Sequence, residues 1–436
     1  MAETGPLSGF RDMLAEQMIP RKAMLATIEG VYERYGFTPL KTPAIERLAT
    51  LTGKYGEEGD KLMYKFKDNG ERDVALRYDL TVPLARIVAQ HNGELPHPYK
   101  RYAVGEVWRG ESPQAGRYRE FTQFDADIVG ASSPLADAEI VCMMSDTIQT
   151  LGADALVRVN NRRILDALVD KAGVQEELAR RRFIGIIDKV EKVGVDAVLQ
   201  EITANYNADA AALVRDYLST AGSSLERLER IRALLGESDA AAEGIGNLEQ
   251  VFGLVEAAGY EGDKVAFDPT IARGLDYYTG IIYETQLKGA PELGSVCSGG
   301  RYDKLVGLMG GPDLPAVGTS IGVDRLYDGL KKLNLLKEAR TNTQVLITNF
   351  AAEEAKRYLG LAEQLRRAGI PTEVYYETTK LAKQLSFANR QGIPYVVVVG
   401  PQEVEKNVAV IKSMATGEQT EAPLDNLADA FKKLAV

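Results

Sequence analysis

Histidine is almost missing: His91 and His97 are the only two in 436 residues, both inside the loop-like stretch AQHNGELPHPY. Mechanisms built on a histidine base or a histidine metal cage have almost nothing to draw on, and a surface loop is the plainer reading of both residues. Cysteine is equally scarce. Cys142 and Cys297 stand far apart with no paired spacing, which excludes a cysteine zinc cage and fits a reducing compartment such as the cytoplasm. No apolar run is long enough to span a membrane, and MAETGPLSGFRDMLAEQ lacks the basic and apolar regions of a signal peptide, so neither a membrane partner nor export is expected. Walker A and G-x-G-x-x-G sequences are absent too, so any phosphate chemistry here must rely on side chains.

Charge narrows the classes further. A formal net charge of −10 argues against a protein that coats DNA or RNA by bulk electrostatics. Between Thr341 and Val436, 11 basic residues balance 11 acidic ones, so the whole acidic excess lies in the preceding part. A neutral tail permits an RNA contact there.

Gly318-Thr319-Ser320-Ile321-Gly322 matches the G-x-S-x-G nucleophile elbow of hydrolases. That mechanism needs a histidine base after the serine, and none follows His97. Close backbone approach is the better account of those glycines.

What the chain does have is an alternation of segment types with no internal repeat. Residues 1–169 mix helix-like and strand-like runs. MLAEQMIPRKAMLATIEGVYERYG carries Met24, Ile28, Val31 and Tyr35 at helical spacing and stops at Gly36, and Pro98 to Gly130 reads as an antiparallel hairpin. Residues 170–262 are dense in charged helix formers and read as a helical insertion. Strand character returns over 263–331, a charged linker follows over 332–340, and 341–436 alternates strand and helix as a compact α/β unit with a mostly parallel sheet.

Arginine beside glycine is the recurrent theme. VWRGESPQAGRYREF crowds Arg109, Arg117 and Arg119 around one hairpin tip, next to the single tryptophan. IARGLDYYTG, CSGGRYDKLVG and GTSIGVDRL repeat the flavour around Arg273, Arg301 and Arg325. A guanidinium is a planar, permanently charged fork suited to bidentate phosphate binding. The plainer alternative for the hairpin is a solvated tip with arginines paired to Glu106, Glu111 and Glu120.

These passages, in this order, resemble class II aminoacyl-tRNA synthetases, and specifically the histidyl-tRNA synthetases. YGFTPLKTPAIE is similar to the family's first, dimer-interface motif, with Pro43 at its proline. VWRGESPQAGRYREFTQFDADIVG resembles the second motif and GTSIGVDRL the third. RGLDYYTG and SGGRYD look like the two histidine-specific motifs, and the match runs from Gly9-Phe10-Arg11-Asp12 into the tail.

The resemblance implies an α+β catalytic domain built on an antiparallel sheet, a helical insertion and a C-terminal α/β anticodon-binding domain. It implies a homodimer that joins L-histidine to tRNA(His) with ATP and Mg2+, without a tightly bound, protein-ligated metal. By the family pattern Arg109, Arg273 and Arg325 are catalytic. Arg109, Glu111, Phe121 and Arg325 bind ATP, with Phe121 stacked on adenine. Asp79, Thr81, Gln123, Asp127, Arg273, Tyr277 and Tyr278 bind histidine. Gln114 and Arg117 at the hairpin tip touch the tRNA acceptor end, and Lys380, Lys383 and Arg390 the anticodon. Asp79 and Asp127 replace the glutamates of many members; each is one methylene shorter, which allows direct contact or a bridging water. Two rivals keep the fold: a regulatory paralogue of the histidine pathway, which lacks the tail domain and the histidine-specific arginine motif, and a catalytically dead tRNA-binding relative, against which Arg109, Arg273 and Arg325 speak.

Overall fold

The computed structural model describes residues 4–113, 116–260, 263–272 and 278–434. They form two compact units: Met1–Asp12 with Met24–Leu336, and Met13–Ala23 with Lys337–Val436.

Helix α1 (Ala15–Arg34) belongs to the larger unit from Met24 onward, and its Met24, Ile28 and Val31 are buried as the helical spacing predicts. Gly36, at φ 78°, ends it in a conformation that favours glycine. Strands β1 (Thr38–Pro39) and β2 (Ile45–Arg47) follow, then the short helices α2 (Leu48–Leu51) and α3 (Gly56–Leu62) and strands β3 (Lys65–Lys67) and β4 (Asp73–Leu76). Helix α4 (Thr81–Gln90) leads to the long hairpin β5 (Tyr99–Trp108) and β6 (Glu120–Val129), paired antiparallel along its length. Helix α5 (Pro134–Thr150), strand β7 (Ala155–Asn161) and helix α6 (Arg162–Lys171) come next.

An all-helical stretch is then inserted: α7 (Glu177–Ile187), α8 (Val190–Val193), α9 (Val195–Asn205), α10 (Ala208–Leu218), α11 (Ser224–Leu235) and α12 (Asp239–Ala257). Strands β8 (Val265–Phe267), β9 (Ile281–Leu287), β10 (Ser295–Arg301) and β11 (Ala316–Gly322) return to the sheet, and helix α13 (Val323–Lys332) closes the unit.

Eight strands lie in the order β1-β5-β6-β11-β10-β9-β7-β8, antiparallel through the centre and parallel only at the two edge pairs. Period-two alternation divides the central strands. Phe124, Ala126 and Ile128 of β6 enter the main core, which continues without a break into the insertion through Leu168, Val198, Ile202, Leu248 and Val251. Gln123, Asp125 and Asp127 face the other way. GTSIG is therefore the body of β11 in mid-sheet.

The smaller unit carries β12 (Val345–Ile347), α14 (Ala355–Arg367), β13 (Thr372–Val374), α15 (Leu381–Gln391), β14 (Tyr395–Val398), α16 (Pro401–Glu405), β15 (Val408–Ser413), β16 (Gln419–Pro423) and α17 (Leu427–Leu434). Its sheet differs from the mostly parallel one expected. Order β13-β12-β14-β15-β16 has two parallel ladders and two antiparallel ones. The missed strand, QTEAP, is a polar edge whose only buried residue is Ala422, so it shows no hydrophobic alternation. Tyr358, Leu361, Ala362 and Leu365 form the buried face of α14, as their spacing predicts.

Candidate active site

The polar face of the central sheet holds two adjoining cavities, of about 280 and 260 Å³. Arg109, Gln123, Ser298 and Ser320 line both. Sequence and register explain the hollow. Gly318 of β11 stands opposite Asp127 of β6, and a Cβ there would lie 1.9 Å from the Asp127 Oδ1. Gly299 has no room for a Cβ either, with the Gly318 carbonyl oxygen 2.1 Å from where it would sit. Absent side chains thus make the floor, and β6 supplies the polar groups above it.

In the first cavity Asp79 sits just before α4. Its Oδ1 accepts from the Tyr55 hydroxyl at 2.8 Å and from the Val82 N–H at 3.0 Å, so one oxygen both anchors the helix start and braces the wall. Thr81, in the first turn, lines the same space. Gln123 donates to the Ser320 Oγ at 2.8 Å, and its amide oxygen is buried without a hydrogen-bond partner among the described residues. Asp127 pairs with the fully buried Arg101 at 2.7 Å and accepts a short hydrogen bond from the Tyr302 hydroxyl. Burial pushes the Asp79 and Asp127 carboxyls above the usual range; the Val82 and Tyr55 hydrogen bonds pull Asp79 back, and Arg101 pulls back Asp127. Tyr278 lines this cavity too, its phenol raised well above the ordinary value by burial and then by the nearby carboxylates. Arg273 and Tyr277 lie outside the described residues.

The second cavity gathers the hairpin. The Arg109 Nε donates to the Tyr78 carbonyl at 3.1 Å, and its guanidinium lies 4.4 Å from the Tyr78 ring centroid and 5.1 Å from that of Phe121. Two aromatic faces and one carbonyl hold the cation in place while it borders both spaces. Glu111, Phe121 and Arg325 line this cavity with it. Arg325, in the first turn of α13, donates to the Ser295 carbonyl at 2.7 Å. Asp324 beside it accepts from the Thr122 N–H at 2.9 Å and pairs with Arg11, tying GFRD to the third motif.

The hairpin arginines separate into different roles. Arg117 lies 3.4 Å from Glu111 at the cavity rim, half in accord with the solvated-tip alternative. Arg119 is a latch, donating to the Glu111 and Ser8 carbonyls at 3.1 and 3.2 Å. Gln114 falls outside the described residues. Arg301 departs from the theme it shared in sequence. It faces away from both cavities and grips the buried Asp137 at 2.6 Å, because in SGGRYD the adjacent Tyr302 takes the pocket side.

Sequence reasoning passed over Arg101, Tyr302, Ser298, Ser320 and Asp125. Asp125 was legible, since Gln123, Asp125 and Asp127 recur at every second position of a strand. Arg101 was not, because a lone arginine in a strand does not reveal which carboxylate will sit across the ladder from it.

In the smaller unit Lys380, Lys383 and Arg390 are exposed on or beside α15. Phe387 of the same helix is half-buried and packs edge-on against Tyr375 at 5.3 Å. Gln384 and Ala388 form the buried side of that helix. Tyr376 is 86% exposed nearby.

Known proteins are similar to this chain over nearly its whole length. A family model described as histidyl-tRNA synthetase matches residues 9–326, and one described as anticodon binding domain matches residues 344–434. The chain is 42% identical over 421 residues to the histidine–tRNA ligase of Rhodopirellula baltica, covering 96% of this chain and 95% of that one. It is 38% identical over 443 residues to that of Cytophaga hutchinsonii, with 96% and 97% covered. The crystal structure of histidyl-tRNA synthetase from Nostoc sp. matches with a TM-score of 0.87 at 35% identity, over 99% of this chain and 100% of that one.

Proposed function

The chain belongs to the histidyl-tRNA synthetase family, and from that premise we propose how its residues divide the work. It is a class II enzyme that ligates L-histidine to its tRNA with ATP, through a histidyl-adenylate, releasing AMP and pyrophosphate. The observation that carries the residue assignment is the pair of cavities with Arg109 on their common wall. A histidine carboxylate from one and an α-phosphate from the other would meet beside that guanidinium.

In the first half-reaction a carboxylate oxygen of histidine bonds to the α-phosphorus, and the bond to the β-phosphate oxygen breaks. Two anions must approach each other, so positioned positive charge is the main need. Arg109 holds the α-phosphate and Arg325 the outer phosphates, while Phe121 stacks on adenine and Glu111 reads its edge. Arg273 supplies a fixed cation from the other side. Mg2+ arrives on ATP as part of the substrate. Gln123, through its spare amide oxygen, Asp79 and Thr81 receive the ammonium and orient the carboxylate. Asp127 and Tyr278 receive the two imidazole nitrogens. A buried carboxylate and phenol left without partners disfavour apolar amino acids by roughly 10⁴.

In the second step a terminal hydroxyl of tRNA displaces AMP. Gln114 and Arg117 meet the acceptor end, residues 170–262 clamp its arm, and Lys380, Lys383 and Arg390 face the anticodon. The working form is a cytoplasmic homodimer.

Amino-acid-dependent ATP–pyrophosphate exchange, without tRNA and across all twenty amino acids, tests this assignment. Exchange with histidine alone is the expected result. Silence with all twenty from folded protein would favour a regulatory role and reduce the arginine cradle to a binding site.

A further inference from the structure

Strand β6 places more negative charge behind the first cavity than recognition of one ammonium uses. Gln123, Asp125 and Asp127 share a face, and Asp79 adds a third carboxylate from the start of α4. All three aspartates are buried, at 1–2% exposure. Arg101 on β5 opposes them, and geometry commits it to Asp127: its Nη2 lies 2.7 Å from the Asp127 Oδ2 and donates to the Leu80 carbonyl at 3.2 Å.

Asp125 is the group left over. Its register partners are Ala103 on β5 and Ser320 on β11. Among the described residues it lines neither cavity, and neither carboxylate oxygen has a hydrogen bond of good geometry. The Ser320 hydroxyl, which already accepts from Gln123, is the polar group that assists it. Arg77 acts from beyond Gly105, but its own hydrogen bonds go to the Glu106 and Thr42 carbonyls at 2.8 and 2.9 Å. Tyr32, Tyr278 and Cys297 also feel its charge and carry none of their own near neutral pH. Among the described residues, an ionised Asp125 is thus a buried charge without adequate compensation.

We propose that Asp125 is a positioning residue that holds a proton in the free pocket up to near-neutral pH and releases it when the histidine ammonium arrives. This rests on reading the first cavity as the histidine pocket. The proton leaves the Asp125 carboxyl for solvent, and the incoming cation replaces it as the partner of the excess negative charge. Arg101, which stays on Asp127, then also attracts the Asp125 charge, so the electrostatics of the group that meets the imidazole depend on Asp125. Burial first, and the neighbouring Asp127 and Asp79 against the pull of Arg101, push the Asp125 carboxyl up to about 7. Arrival of a cation lowers such a pKa, so histidine binding tightens as pH rises toward 7 and levels off above it.

Histidine binding to the full chain, followed by calorimetry at pH 7 in two buffers of different ionisation enthalpy, counts the protons released. The native protein should release about half a proton more than Asp125→Asn, as expected for a group half-protonated at that pH. Its affinity should gain up to about tenfold over the variant's between pH 6 and 8, one pKa unit of coupling being tenfold. Comparing the two cancels the ligand's own imidazole titration. Equal proton counts, with both proteins binding histidine, overturn the proposal. If the native protein does not bind histidine at all, the pocket assignment beneath it fails instead. Infrared difference spectra of the native protein at pH 6.5 provide a second test that needs no variant. Histidine should bleach a protonated-carboxyl band, and an unchanged band overturns the proposal.

Discussion

Gly318 and Asp127 face each other across the β6–β11 ladder so closely that a single methyl on the glycine would fall 1.9 Å from the carboxylate oxygen. The backbone oxygen of Ala126 lies 2.9 Å from the same point, so the strand cannot simply move aside. Asp127 owes its place to an atom that is missing on the neighbouring strand.

Gly318→Ala should therefore displace Asp127 and damage histidine use more than ATP use. We expect kcat/KM for histidine to fall about 10²-fold, the cost of a misplacement of roughly an ångström. Exchange kinetics with each substrate varied, alongside a circular dichroism spectrum, check this. An unchanged KM for histidine in folded protein would contradict it.

Arg109 borders both cavities under the Tyr78 and Phe121 rings. Arg109→Gln should lower the exchange rate by about 10²–10³, the usual loss when one preorganised partner of a developing charge is removed. Because the guanidinium is only half-buried, melting should shift little. A loss of stability on the scale of the activity loss would recast Arg109 as structural.

Burial of Asp125 gives stability a definite pH slope. An aspartate in the unfolded chain titrates near 3.9, whereas Asp125 in the fold is pushed up to about 7. Between those values the folded protein holds more protons than the unfolded chain, so this residue lowers stability as pH rises and adds no further slope above about 7. Asp125→Asn should melt higher than the native protein by a margin that grows from pH 5 to pH 7 and then stays constant. Thermal melts at pH 5, 6, 7 and 8 measure it; a margin that shrinks with pH would be the wrong sign.

The exposed cations on α15 permit a cleaner separation. Lys383→Ala and Arg390→Ala should each raise the KM for tRNA about fivefold, the size of an ion contact worth about 1 kcal/mol. Neither should alter tRNA-independent exchange. A tRNA KM insensitive to both substitutions would remove α15 from the interface.

The insertion has to be probed by its surface. Its Val198, Ile202, Leu248 and Val251 share one core with the sheet, so removing residues 170–262 would strip apolar surface from α5 and α6 along with any tRNA contact. Charge reversals on its exposed face leave that core intact.

Local pattern carried much of the fold. Helical spacing marked the buried side of α1 and of α14, and Gly36 marked where α1 stops. Two strand-like runs on either side of the arginine loop marked the β5–β6 hairpin, and the motif order carried the family. QTEAP was invisible because an edge strand facing solvent needs no alternation.

What the sequence determined by itself was the chemistry available: no histidine base, no phosphate loop, and arginines beside glycines as the remaining way to hold phosphate. Which arginine does what was decided by the tertiary structure. Arg109 and Arg325 border the cavities, Arg119 latches two carbonyls, Arg301 turns away to Asp137, and Arg101 becomes the counter-charge of the pocket. Side-chain direction in a strand depends on parity and on what lies across the ladder, and a charge's partner is set by strands far away in sequence. Those pairings come into being only when β5, β6, β10 and β11 are laid side by side.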